Sequence, residues 1–338
     1  MPHSLVIQTS FLGDVVLTTP LLDVLATRGT VDVVTTPGAA PLLANHPAIR
    51  RVVPWDKRGR ERGLAGLWRL ARDVRAPDTE AVAYCVQGSW RTAALAVAAG
   101  YRTRVGFDTS DGRLLYTRRV LYRAGEHHTV RLLDLAGGAA ETEAPARPRV
   151  FPGEAERAAV DALLDDWHDA DDLVALAPGS IWGTKRWPHF PALAALLAPQ
   201  HRLVVVGSRD DQPLAAAIES AAPGRTRDAT GRLSLLGSAE LLRRCVLLVT
   251  NDSAPQHLAS AVGTPTVTIF GPTVPAFGFG PLAPHSVVAE HPDLPCRPCH
   301  RHGPPACPLG HWRCMRDLDA AAVMARARPI LQTSARPS

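Results

Sequence analysis

The sequence predicts an α/β protein built from two halves, each with its own parallel sheet. Short apolar runs alternate with longer helix-period segments along the chain, which calls for sheets covered by helices on both faces. The alternation breaks once, over residues 141–153, a stretch rich in Pro, Arg and Glu that reads as a linker. At 338 residues the chain also exceeds one ordinary core.

Each predicted element follows from its local pattern. In the first half, residues 5–8, 31–35, 52–55 and 81–86 are strand-length apolar runs. Residues 15–28, 39–45, 64–74 and 90–99 carry helical spacing between them. Residues 104–107 and 120–122 are weaker strand patterns, and 127–135 closes the half as a helix. The second half repeats this grammar, with helices over 155–167, 190–197, 214–221, 234–244 and 254–261. Its strands are 173–177, 203–207, 225–228, 246–250 and 266–270, and a short amphipathic helix covers 318–330. The expected domains are 1–150 and 151–317, with 318–338 as a terminal helix. Two such halves expect a ligand cleft at the carboxyl ends of their strands.

Composition narrows the classes of partner. The apolar fraction, 46%, is that of a folded soluble protein. Thirty-seven basic and 32 acidic residues leave a spread-out charge of +5, which suits anionic ligands without indicating nucleic acid. No aromatic–basic interleaving of the single-strand-binding kind is present. No apolar run is long enough to span a bilayer, and residues 1–8 enter a strand without a signal-peptide pattern. A cytoplasmic location is expected. Arg58, Arg60, Arg62, Arg69, Arg72 and Arg75 surround an amphipathic pattern that reads either as a solvated helix face or as a peripheral contact with the cytoplasmic face of a membrane.

Three stretches carry candidate chemistry. Lys185, one of two lysines in the chain, lies in Ala177-Pro-Gly-Ser-Ile-Trp-Gly-Thr-Lys-Arg-Trp-Pro188. Strand, small-residue loop, lysine and helix start together suit a phosphate, although an ordinary loop with a lysine has the same pattern. Residues 8–14 follow the first strand, and their one glycine does not make a dinucleotide fingerprint. Asp14 falls in the first helical turn, where it reads as a cap or, facing a substrate hydroxyl, as a base. In the third stretch a strand ends at Asn251-Asp252-Ser253, and Pro255 suits the first turn of the next helix. The amides at 252–254, including that of Ala254, favour anions. Asp252 and Ser253 suit sugar hydroxyls, and His257 lies one turn in.

Taken together, residues 8–14 with Thr18-Thr-Pro20, 177–188, 251–258 with Gly263-Thr-Pro265, and 270–273 resemble glycosyltransferase family nine, the ADP-heptose:lipopolysaccharide heptosyltransferases. The pattern looks most similar to the heptosyltransferase II type, and the tail over 296–315 shares the likeness. The resemblance implies a GT-B fold, with two Rossmann-like domains facing across a cleft. It implies an inverting, metal-independent transfer of heptose from ADP-heptose to a hydroxyl of the lipopolysaccharide inner core. It assigns Asp14 as general base, Lys185 to the nucleotide phosphates, and Ser180 and Thr184 to the phosphate loop. Asp252 and Ser253 match a sugar- and phosphate-contacting pair, and Asp210 lies near a ribose-binding acid. Acceptor recognition is expected in the N-terminal half, through residues such as Arg58–Arg62 or Trp90-Arg91. The terminal helix is expected to brace the two halves, as such helices do in GT-B folds, or to sit on its own domain.

The cysteines leave two readings open. Cys85 and Cys245 read as small buried hydrophobes. Cys296, Cys299, Cys307 and Cys314 cluster in a Pro/Gly-rich stretch and suit either a structural tetrahedral zinc or free thiols packing an irregular loop. No cofactor is expected for the chemistry itself. Alternatives are a transferase with another nucleotide-sugar donor, a sugar-nucleotide epimerase, for which no acid/base set around the sugar C2 is identified, and a zinc-stabilised nucleic-acid-binding protein.

Overall fold

The computed structural model describes residues 2–57, 59–137, 145–167 and 172–334. The chain divides into two units, Met1–Phe151 and Pro152–Ser338. Each unit has one six-stranded, all-parallel sheet.

In the first unit the strands are β1 (His3–Ile7), β2 (Thr30–Thr35), β3 (Arg51–Pro54), β4 (Val82–Cys85), β5 (Thr103–Phe107) and β6 (Arg118–Val120). They lie in the order β3-β2-β1-β4-β5-β6. The helices are α1 (Leu12–Ala26), α2 (Gly63–Asp73), α3 (Trp90–Ala98) and α4 (His128–Leu135). The second unit has α5 (Glu154–Leu164), β7 (Leu173–Ala177), α6 (Phe190–Leu197), β8 (Arg202–Val205), α7 (Gln212–Ala221), β9 (Thr226–Asp228) and α8 (Leu235–Arg243). It continues with β10 (Leu247–Asn251), α9 (Ala254–Val262), β11 (Thr266–Phe270), β12 (Val287–Glu290), α10 (Arg313–Arg316) and α11 (Ala320–Ser334). Its strand order, β12-β11-β10-β7-β8-β9, is the first order read from the other side. In both sheets the order reverses between the unit's first and fourth strands, β1/β4 and β7/β10. The loops leaving such a pair diverge to opposite faces and open a crevice at the carboxyl edge.

The central strands are buried along their whole length, as in β1 (HSLVI) and β7 (LVALA). A strand covered on both faces has no reason to alternate, so the apolar runs are continuous. Helix α1 is likewise apolar on most of its circumference, with residues 15–22 all buried, as befits a central helix. Pro20 lies inside it and has no N–H for the Val16 carbonyl. The Thr19 hydroxyl donates to that carbonyl at 2.8 Å, so the helix continues through the proline. Helix α9 stops at Gly263, whose φ of 87° turns the chain left-handed while its N–H returns to Ala259.

Several elements differ from the sequence expectation. Strand β6 begins at Arg118, two residues early, because its register is set by pairing with β5 (Val105↔Arg118). The helix expected over 155–167 ends at Leu164, where Asp165 takes a φ of 48° and a 3₁₀ turn follows. Residues 40–43 form a 3₁₀ turn rather than an α-helix. Strand β12 has no counterpart among the expected strands. It is four residues long and exists by pairing with β11 (Val267↔Val287). Helix α11 packs on α6 and on β10–β12, burying Val323, Ala327, Ile330 and Leu331 in the core of its own unit.

Candidate active site

In the first unit the loop after β1 is organised by Gln8, which is buried. Its Nε2 donates to the Thr18 hydroxyl at 3.2 Å, and its Oε1 accepts from the Ser10 N–H at 3.2 Å. This fixes the path from strand to helix and presents Asp14 in the first turn of α1. The Ser10 hydroxyl donates to Asp14 Oδ2 at 2.6 Å, and Asp14 Oδ1 faces His128 Nε2 at 3.9 Å. His128 opens α4, which packs on α1. The Asp14 side chain is 19% exposed, so it is partly desolvated yet reachable. The α1 N-cap, Phe11, makes no side-chain cap bond, and the positive end of the helix stabilises the carboxylate. A carboxylate held at one oxygen, with an imidazole near the other, is equipped to take a proton from a hydroxyl.

Beside this loop is a cavity of about 380 Å³ lined by residues that include Thr9, Ser10, Trp55, Asp56, Lys57 and Gln87. Lys57, the second lysine of the chain, donates to the Thr9 carbonyl at 3.2 Å, to the Thr9 hydroxyl at 3.0 Å and to Gln87 Oε1 at 3.3 Å. Gln87 follows β4 and Thr9 follows β1, so this cation is held at the reversal point of the first sheet. Its positive charge at the wall of an open cavity suits an anionic group.

The second unit repeats the arrangement with other residues. Lys185 follows β7 and Asp252 follows β10. Lys185 Nζ reaches Asp252 Oδ2 at 2.5 Å and the Asp252 carbonyl at 3.3 Å, with both side chains 10% exposed. The Thr273 hydroxyl, from the loop after β11, donates to the same Oδ2 at 2.7 Å. Asn251 joins the two loops. Its Oδ1 accepts the Trp187 N–H at 3.1 Å, and its Nδ2 donates to the Pro178 carbonyl at 2.8 Å. Ser253 is the N-cap of α9, but its hydroxyl donates back to the Asn251 carbonyl at 3.3 Å instead of capping. The first-turn amides of α9, from Ala254 onward, are therefore not capped by that side chain and suit an anion. Ser180 Oγ accepts the Trp182 N–H at 3.3 Å, and Arg186 Nε closes the loop onto the Ser180 carbonyl at 2.9 Å. His257 is buried one turn into α9, its ring edge-on to Phe279. Asp210 is exposed on a 3₁₀ turn, while its neighbour Asp211 is buried and accepts from the Ser208 N–H and hydroxyl, both at 2.8 Å.

The cysteine-bearing stretch packs against the Lys185 loop. Thr184 Oγ1 donates to the Pro304 carbonyl at 2.5 Å, and Trp312 Nε1 donates to the Thr184 carbonyl at 2.8 Å. Arg297 anchors the stretch to carbonyls at the end of β11 and to Glu290. Burial and the neighbouring thiols push Cys314 up to about 11. Burial opposes ionisation of Cys307 too, yet the N–H groups of Trp312, Leu309, Gly310 and His311 bring it below the usual thiol value. Among the described residues, no three Cys, His, Asp or Glu side chains converge as a metal would require, Cys296, Cys299, Cys307 and Cys314 included.

Residues expected from sequence thus lie at two reversal points. Asp14 sits at one, and Ser180, Thr184, Lys185, Asp252, Ser253, Ala254 and His257 lie at or beside the other; Asp210 is on the turn after β8. Lys57, Gln87 and His128 lie outside the stretches that the sequence picks out, whereas Asn251 and Thr273 lie within residues 251–258 and 270–273 without a role of their own being expected. Lys57 alone had a signal, its rarity. Gln87 and His128 are ordinary polar residues until the fold brings them to Thr9, Lys57 and Asp14. Arg58 lies outside the described residues.

The sequence pattern of glycosyltransferase family 9 (heptosyltransferase) matches residues 67–309. Over 317 residues the chain is 30% identical to lipopolysaccharide heptosyltransferase 1 of Pseudomonas aeruginosa, covering 87% of this chain and 85% of that protein. Its fold is similar to that of a solved family 9 glycosyltransferase from Veillonella parvula, with a TM-score of 0.85 at 23% identity over 98% of both chains. It is also similar to the structure of Escherichia coli ADP-heptose LPS heptosyltransferase II, with a TM-score of 0.80 at 22% identity over 99% of this chain and 100% of that one. With that family match and two parallel sheets carrying polar clusters at their reversal points, the chain belongs to glycosyltransferase family 9, the heptosyltransferases.

Proposed function

We propose that the protein transfers a heptose from ADP-heptose to a hydroxyl of the lipopolysaccharide inner core, with inversion at the anomeric carbon. The observation that carries this reading is the division of labour between the two units. One holds a carboxylate steadied by Ser10. The other holds a buried lysine beside the N-terminus of α9. In the proposed reaction Asp14 accepts the proton of the acceptor hydroxyl as its oxygen attacks the anomeric carbon. The bond from that carbon to the ADP oxygen breaks on the opposite face, and Lys185 with the α9 amides stabilises the charge that develops on ADP. Lys57 would meet an anionic substituent of the acceptor. The donor identity is supported by the ADP-heptose enzyme among the similar structures, and the acceptor by the lipopolysaccharide heptosyltransferase among the relatives.

The test is turnover with ADP-heptose and inner-core acceptors with and without a heptose already in place, following ADP release and the anomeric configuration of the product by NMR. Transfer with inversion, lost in Asp14→Asn, supports the reading. Retention, or equal turnover with UDP- or GDP-sugars, would overturn it.

A further inference from the structure

Asp252 is held at one carboxylate oxygen only. Its Oδ2 takes the Lys185 ammonium at 2.5 Å and the Thr273 hydroxyl at 2.7 Å. Its Oδ1 accepts no hydrogen bond among the described residues and is open to solvent. Both oxygens of a carboxylate are acceptors, so the free one is set to receive another donor. The main chain leaves the side chain little play, because the Asp252 N–H donates to the Ile269 carbonyl at 3.1 Å. Thr273 sits on a turn fixed by side chains from other elements. It is 2% exposed and ends the Gly271-Pro-Thr turn after β11. Arg297 Nε donates to the Gly271 carbonyl at 2.5 Å, and its Nη2 donates to the carbonyls of Phe270 and Thr273, both at 3.2 Å. Glu290, at the end of β12, accepts from the same Nη2 at 2.7 Å. Met315 is buried against the turn, and a Cβ at Gly271 would come within 2.7 Å of its sulfur.

We propose that Thr273 is a positioning residue for sugar recognition: its hydroxyl keeps Asp252 turned so that Oδ1 meets a hydroxyl of the donor's sugar once the diphosphate has engaged Lys185. The proposal rests on the donor reading given above. A diphosphate beside Lys185 draws on the same ammonium and weakens its grip on Asp252, and two negative groups then lie close together. Thr273 is neutral, and it donates to the carboxylate whichever partner the lysine takes. A hydrogen bond to an ionised acceptor is about twice as strong as one between neutral groups, so this bond can hold the side chain by itself. Its loss should appear in the handling of the sugar and not in the affinity for ADP.

The experiment compares the full chain with Thr273→Val, Thr273→Ser, Asp252→Asn and the double variant of Asp252→Asn with Thr273→Val. Calorimetry gives the affinity for ADP, steady-state kinetics gives kcat/KM for ADP-heptose, and thermal denaturation checks that each variant folds. Thr273→Val keeps the shape of the side chain without the donor. It should lower kcat/KM by about tenfold and leave ADP affinity within about twofold. Thr273→Ser should restore most of the loss, and Thr273→Ala gives the same comparison if the valine packs badly. In the Asp252→Asn background the valine change should lower kcat/KM by less than about twofold, because the group it positions is already altered. An equal loss of ADP affinity and kcat/KM, no loss in Thr273→Val, or full additivity with Asp252→Asn overturns the proposal. An unaltered chain that binds ADP yet turns over no ADP-heptose overturns the donor reading, and this proposal with it.

Discussion

Lys185 and Asp252 come from loops 67 residues apart and meet at 2.5 Å across the reversal point between β7 and β10. The contact leaves an ammonium group beside the N-terminus of α9 with its position fixed before any ligand arrives. Charges held in place in a water-poor site cost little reorganisation when a leaving group develops its own charge.

Lys185→Ala is expected to lower kcat/KM by about 10²–10³ and to weaken ADP binding. Lys185→Arg should rescue little, because the position is only 8% exposed and shaped to a compact ammonium. Asp252→Ala strands a buried cation and should cost on the order of 3–5 kcal/mol of stability. Steady-state kinetics, calorimetric ADP titration and urea unfolding check these three effects. Retention of full ADP affinity in Lys185→Ala would falsify the phosphate role.

Asp14→Asn should reduce turnover by about 10²–10⁴ while leaving ADP affinity unchanged, since the base acts on the acceptor side. Ser10→Ala removes the 2.6 Å bond that steadies the carboxylate and should cost about tenfold in kcat. Comparing kcat with donor affinity in both variants separates proton transfer from binding. A donor-affinity loss as large as the kcat loss would contradict this assignment.

Gly303 adopts a φ of 93°, and a Cβ there would come within 3.2 Å of Lys185 Cε and Cγ. Gly303→Ala therefore combines backbone strain with pressure on the Lys185 stem, and about 1–3 kcal/mol of destabilisation is expected. ADP affinity should fall as well, although residue 303 has no side chain to contact a ligand. Thermal denaturation with and without ADP measures both. An unchanged ADP shift would mean that the cysteine-bearing stretch does not position the lysine.

His46 is 4% exposed, accepts the Ala48 N–H at Nδ1 (3.3 Å), and packs edge-on against Phe151. Burial lowers its pKa, with Asp23 opposing and Arg149 adding. Because the folded value lies below the unfolded one, this neutral histidine contributes stability in full above the unfolded pKa of about 6.5. That contribution is lost as pH falls through it toward the folded value. Cooling of Tm between about pH 7.5 and about pH 5.5 should be smaller in His46→Phe, which keeps the ring and removes the titration. Identical slopes for the two proteins would show that His46 does not contribute to the pH dependence.

The alternation of apolar runs and helical patterns was enough to locate nearly every strand and helix, because central parallel strands covered on both faces announce themselves as largely continuous apolar runs. The elements that escaped depended on partners. Strand β12 is four residues whose reason for pairing is β11, and the start of β6 is set by the register of β5. The residues that sequence could flag were those with a local peculiarity: a rare lysine in a small-residue loop, an acid in a first helical turn, a strand ending in Asn-Asp-Ser before a proline.

By itself the sequence determined the α/β class, the repeated grammar of two units and the loops that carry chemistry, since all three are encoded in spacing over a few residues. Tertiary structure alone decided which side chains share a site. Only the strand order β3-β2-β1-β4 brings Lys57, Thr9 and Gln87 into contact, and only β10 beside β7 brings Asp252 to Lys185. Such contacts join residues tens of positions apart, and no local period or propensity records them, because strand adjacency is settled by packing of the whole sheet.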